Sequence, residues 1–168
     1  MTWLHIQNEK LEHLTGEFFK ENPKLHEITI RNCHLREIDI DTFDSTTELE
    51  ILSLNFNRIK YFKIGTFKNL KKLKILELHH NRFVDSNLQQ FQGAVSLEIL
   101  GLPSNFWKNI KTSDELQAVF PKLQKLEVKK KDLVPGDVKI RELRIRGIHI
   151  IGTPHDCHYS HVLCSSVM

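Results

Sequence analysis

LEILSLNFNRIKYFKIGTFKNL, Leu49 to Leu70, places apolar residues at Leu49, Leu52, Leu54, Ile59, Phe62, Phe67 and Leu70 around Asn57, with polar residues at most other positions. Outward from it, the same short pattern of aliphatic, spacer, aliphatic recurs seven times: Leu4/Ile6, Ile28/Ile30, Leu52/Leu54, Leu76/Leu78, Leu100/Leu102, Leu126/Val128 and Leu143/Ile145. The first five pairs are 24 residues apart, the sixth follows after 26 and the seventh after 17. A fixed period of this size predicts a solenoid. One coil cannot bury its own apolar face, so stability comes from stacking, and the stack presents one long surface. Within each coil the period-2 segment predicts a short strand whose alternate side chains point in and out. Successive strands would pair in parallel about 4.8 Å apart.

Asn57, Asn81 and Asn105 fall where the chain turns away from the strand, and an asparagine amide can donate to and accept from the backbone of adjacent coils. Cys33 stands at that position in the second coil, where it reads as a buried, inert thiol. Glu9, Lys131 and Ile148 stand there in the first and last two coils, consistent with atypical terminal repeats. Phe19, Phe43, Phe67 and Phe91 recur in one phase and predict a buried aromatic spine. Thr112-Ser113-Asp114-Glu115 reads as a capping box opening a short helix, which Pro121 should end. Val134-Pro135-Gly136-Asp137 predicts a tight turn.

The third and fourth coils match Leu-x-x-Leu-x-Leu-x-x-Asn-x-Leu, the signature of the leucine-rich repeat family. The longer tail, with a phenylalanine six residues before the next coil, resembles the 24-residue typical class found in extracellular receptors and Toll-like receptor ectodomains. The resemblance covers residues 1–150, leaving 151–168 as a tail. It implies an α/β solenoid, a curved right-handed superhelix with a parallel sheet on the concave face and mostly irregular or short helical convex segments. Strands are expected near 3–7, 27–31, 51–55, 75–79, 99–103, 125–129 and 142–146. Protein binding, receptor-like signal transduction and innate immunity are the functions it implies.

Three columns should line the concave face. The first runs Trp3, Glu27, Ile51, Ile75, Ile99, Lys125, Glu142; the second His5, Thr29, Ser53, Glu77, Gly101, Glu127, Arg144; the third Gln7, Arg31, Asn55, His79, Pro103, Lys129, Arg146. Ile51, Ile75 and Ile99 would form an exposed apolar stripe, and burying each such side chain is worth about 1.5 to 3 kcal/mol. They could equally shield one another as a cross-strand ladder. Lys125, Lys129, Lys130, Arg141, Arg144 and Arg146, against Glu127 and Glu142, would make the C-terminal end of the face basic. The expected ligand-binding residues are therefore Trp3, His5, Arg31, Ile51, Ile75, Glu77, His79, Ile99, Lys125, Lys129, Arg144 and Arg146, serving a protein or peptide partner.

The composition, 168 residues at 40% hydrophobic and 27% charged with a net charge of +3, suits a folded soluble domain. The charge is too small to argue for nucleic acid or membrane, and too few aromatics are interleaved for base stacking. No phosphate loop, metalloprotease motif or nucleophile elbow appears, so no catalytic residue and no cofactor is expected. His155-Asp156-Cys157-His158-Tyr159-Ser160-His161-Val162-Leu163-Cys164 concentrates ligand types zinc prefers, but its spacing matches no standard finger and no metal ligand is assigned. Cys157 and Cys164 could pair, although three cysteines make no disulfide framework.

No window is apolar enough to span a membrane, and no secretory signal or Asn-x-Ser/Thr sequon is present. The repeat class points outside the cell; these absences point to an intracellular adaptor or scaffold. The first coil begins at Met1 without a cysteine-rich cap, and an open solenoid end exposes core and strand edge. A truncated product, a divergent protein, or dimerisation through the ends would each account for that.

Overall fold

A computed structural model of the chain describes residues 2–85 and 87–153. Seven strands form one parallel sheet in strict chain order: β1 (Trp3–Gln7), β2 (Glu27–Arg31), β3 (Ile51–Ser53), β4 (Ile75–Glu77), β5 (Ile99–Gly101), β6 (Lys125–Lys129) and β7 (His149–Thr153). Parallel neighbours need a crossover, and here each crossover is the remainder of one coil. A second, two-residue parallel pair joins His13–Leu14 to Glu37–Ile38 on the turn that follows the strands.

Register follows the repeat. Trp3 pairs with Glu27, Glu27 with Ile51, Ile51 with Ile75, Ile75 with Ile99 and Ile99 with Lys125. The pleat then turns Ile28, Leu52, Leu76, Leu100 and Leu126 into the core, where each is fully buried. Phe19, Phe43, Phe67 and Phe91 stack behind them with centroid separations of 5.8, 6.4 and 5.7 Å, and Phe120 extends the row at 5.8 Å from Phe91.

The asparagines tie coil to coil. Asn57 Oδ1 accepts from the backbone N–H groups of Cys33 (3.0 Å) and Leu35 (3.1 Å), while its Nδ2 donates to the carbonyls of Ile30 (2.7 Å) and Leu54 (3.0 Å). Asn81 repeats this one coil later, accepting from Ile59 N–H at 3.1 Å and donating to Leu54 O at 2.9 Å. Cys33 is buried as expected, its Sγ 3.1 Å from the Arg31 carbonyl, and burial pushes the thiol pKa up. Asn105 departs from the ladder. It lies in helix α1 (Ser104–Asn109), although its Nδ2 still donates to the Phe83 carbonyl of the previous coil.

The fifth coil holds its two extra residues by adding helix α2 (Ser113–Val119) after α1. Thr112 Oγ1 accepts from Glu115 N–H at 3.2 Å, the N-terminal half of the expected box, and the helix stops before Pro121.

The last coil differs from the expectation. Residues 142–146 are not a strand: Val138–Ile145 forms helix α3, and the seventh strand is His149–Thr153. Asp137 caps the helix by accepting from Lys139 N–H at 2.9 Å. Ile140 and Leu143, three residues apart on one helical face, are buried while Ile145 is 79% exposed, so the apparent strand pair is split. Gly147, at φ 81°, ends the segment and redirects the chain into β7.

Candidate functional site

The open face of the sheet is built from the side chains opposite the buried leucines. Ten of the twelve expected site residues lie on β1–β6 or immediately beyond their ends: Trp3, His5, Arg31, Ile51, Ile75, Glu77, His79, Ile99, Lys125 and Lys129. Arg144 and Arg146 do not join them. Arg144 is on α3, and Arg146 follows it, donating to Gln117 Oε1 at 2.6 Å and to Asp114 Oδ1 at 2.5 Å. Glu142, expected in the first column, accepts from Ser113 Oγ at 2.9 Å. These groups lash α3 to α2. The basic C-terminal end of the face is therefore reduced, with His149, Ile151 and Thr153 occupying the positions opposite Lys125, Glu127 and Lys129.

Ile51, Ile75 and Ile99 form a registered ladder, each half-buried. They shield one another and still present an apolar edge. At the N-terminal end Trp3 is 58% exposed, with its ring 5.0 Å from that of His5, and His5 Nε2 lies 2.7 Å from Glu27 Oε1.

Beside the ladder sits a charge cluster that periodicity alone does not reveal. Glu77, 4% exposed, accepts from Ser53 Oγ and Asn55 Nδ2, both at 2.8 Å. Asn55 Oδ1 in turn accepts from His79 N–H at 2.7 Å. Arg31 is also buried; desolvation lowers its pKa and the Glu77 charge opposes that, while its guanidinium lies 5.7 Å over the Phe56 ring. A buried carboxylate is tolerable only when hydrogen-bonded or charge-matched, and both conditions hold here. Glu127, 6% exposed, is paired with Lys125 Nζ at 2.8 Å.

Gly101 separates Glu77 from Glu127 in the column, and its missing side chain is what seats His79. A Cβ on Gly101 would stand 2.6 Å from His79 Nε2. The ring lies in that space with Nε2 3.7 Å from Glu127 Oε2, and neither ring nitrogen has a hydrogen-bond partner among the described residues.

Immediately after the strands, Asn8, Asn32, Phe56 and His80 take the left-handed conformation, with φ between 53° and 63°. Asparagine and histidine are enriched in this region, whereas the bulkier phenylalanine is uncommon there. Phe56 and His80 stack on each other, 4.2 Å apart and inclined by 12°.

Among the described residues no group of three or more His, Cys, Asp or Glu side chains could hold a metal ion, and no helix is long and apolar enough to cross a membrane. The histidine- and cysteine-containing stretch 155–164, with Cys157 and Cys164, lies outside the described residues.

The profile of the family described as Leucine rich repeat matches residues 1–59 and again 47–105. The chain belongs to the leucine-rich repeat family. Solved structures share the leucine-rich repeat architecture. The domain is similar to TLR13 in its complex with ssRNA13, at 23% identity over 90% of this chain and 22% of that one, with a TM-score of 0.68. An internalin (inlF) from Listeria monocytogenes is 18% identical, covering 77% of this chain and 35% of that one, TM-score 0.58. The APL1 leucine-rich repeat domain is 17% identical, covering 77% and 39%, TM-score 0.52. The chain thus spans between about a fifth and two fifths of the length of these structures. No curated protein matches the sequence significantly.

Proposed function

We propose that this leucine-rich repeat domain is a non-catalytic recognition module that takes a protein or peptide ligand on the open, concave face of its sheet, within a receptor or a secreted immune or adhesion protein. The observation that carries this reading is the Ile51–Ile75–Ile99 ladder, half-buried and flanked by Trp3 and His5 on one side and the Lys125–Glu127 pair on the other. An apolar strip rimmed by oriented polar groups is the usual anatomy of a protein contact. The fold alone selects no ligand class, since it hosts many unrelated partners; TLR13, for instance, is in complex with ssRNA13.

A photo-crosslinking residue at position 75, compared with one at exposed Lys71, tests the face. Cross-links to a partner are expected at 75 only, and Ile75→Asp and Lys129→Glu should each lower binding without unfolding the domain. Equal cross-linking at both positions, or loss of fold in both variants, would contradict the assignment.

A further inference from the structure

We infer that the flank directly after the strands is a second binding surface, independent of the sheet face, for a linear sulfated glycan. Elsewhere on the molecule four lysines are matched by an acid one coil earlier: Lys63 with Asp39, Lys68 with Asp44, Lys72 with Glu48 and Lys74 with Glu50, at 3.7, 3.0, 2.6 and 2.7 Å. Every one of these pairs is 24 residues apart.

On the flank the same spacing also stacks cation on cation, Arg82 over Arg58 and Lys60 over Arg36. Lys10, His34, Arg58 and Arg82 form one column at 24-residue intervals, and Arg36 lies under Lys60 in another. Like charges opposite one another are destabilising, so stability does not explain the arrangement. Arg36 reaches Glu12 at 3.8 Å, whereas among the described residues no carboxylate lies within 4.0 Å of Arg58, Lys60 or Arg82.

These side chains converge. Arg36, Arg58, Lys60 and Arg82 line one groove of about 360 Å³ with Tyr61, against the single carboxylate of Glu37. Arg58 and Arg82 also line an adjoining hollow of about 240 Å³ with His34 and His80. Because the cations repeat once per coil, the row runs along the solenoid axis and suits a linear chain with closely spaced anionic groups. Arginine forks match the oxygens of sulfate and phosphate esters bidentately. Sulfated sugar fits better than nucleic acid, because stacking successive bases needs a series of open aromatic faces, and the groove itself offers one, Tyr61, 53% exposed. Phe56 has one face against His80 at 4.2 Å and the Arg31 guanidinium over its ring at 5.7 Å.

The test uses the full chain and calorimetric titration with a size-defined heparin oligosaccharide, its desulfated form, and a single-stranded oligothymidylate of equal charge. The sulfated sugar should bind with affinity that falls as salt rises, and the other two should bind at least tenfold more weakly. Arg58→Glu/Arg82→Glu should lose binding more than tenfold. Lys68→Glu/Lys72→Glu, with the same change in net charge, should stay within twofold, melting curves confirming that both variants fold. Tighter binding of the oligonucleotide would make this a nucleic-acid surface, and equal binding by both double variants would make the attraction merely global. Either result overturns the proposal.

Discussion

Two flanks of one solenoid, built on the same repeat, treat charge in opposite ways. On the convex side and in the turns leading into the strands, the 24-residue period sets lysine over acid, as in Lys72–Glu48 and Lys74–Glu50. On the flank leaving the strands it sets Arg82 over Arg58 and Lys60 over Arg36, although Arg36 itself still rests on Glu12. A repeat aligns whatever it repeats, so a column of equal residues becomes a ladder of equal side chains. The first flank uses that alignment for modest local stabilisation; the second concentrates one sign of charge, which attracts an external counter-charge.

Both flanks rest on one shared core, and the largest effect comes from breaking it. Leu76→Ala, at a fully buried site, should lower unfolding free energy by about 2 to 5 kcal/mol, read by denaturant titration, and should impair both flanks together. Next, Arg82→Glu places an acid one coil from Arg58 and recreates on the cationic flank the pattern of the other. It should raise stability by about 0.2 to 1 kcal/mol while weakening glycan binding more than tenfold, so that stability and binding move in opposite directions. Conversely, Lys72→Glu opposes Glu48 and should cost about 0.2 to 1 kcal/mol, a loss that shrinks at high salt.

The smallest effect is pH-dependent. The hydrogen bond and charge of Lys74 lower the Glu50 pKa, and those of Glu50 raise that of Lys74. The Glu50 contribution is therefore present above the ordinary glutamate pKa and disappears as pH falls through the depressed folded value. The Lys74 contribution is present below the ordinary lysine pKa and disappears as pH rises through the raised one. Side-chain NMR titration should find both midpoints displaced in these directions, and Lys74→Met should return Glu50 to its ordinary range.

Much of the architecture was legible because burial has a period. Leu52, Leu76 and Leu100 announce their face by spacing alone, and Asn57 and Asn81 announce the turn. The last coil was not legible in the same way. Leu143 and Ile145 have the spacing of a strand pair, but Ile140 and Leu143 also have the spacing of a helical face, and a short segment satisfies both templates. The deciding features were local: Asp137 as cap and Gly147 at positive φ. The arginines assigned from that misplaced strand consequently left the candidate site.

Within the site, the isoleucine ladder followed directly from the period, whereas the seat of His79 did not. It depends on the space left by Gly101 in the next coil and on the nearness of Glu127 two coils away. Phe56 and His80 likewise read as ordinary turn residues until the backbone placed both in the left-handed region and set their rings face to face.

The chain by itself determined that it coils, how often, and which leucines, phenylalanines and asparagines lie inside, because stacking identical units requires identical interior residues. Tertiary structure alone decided which charges meet. Side chains from different coils become neighbours only once register is set, and register fixes whether a lysine rests on an acid, a histidine in a glycine's space, or an arginine above another arginine.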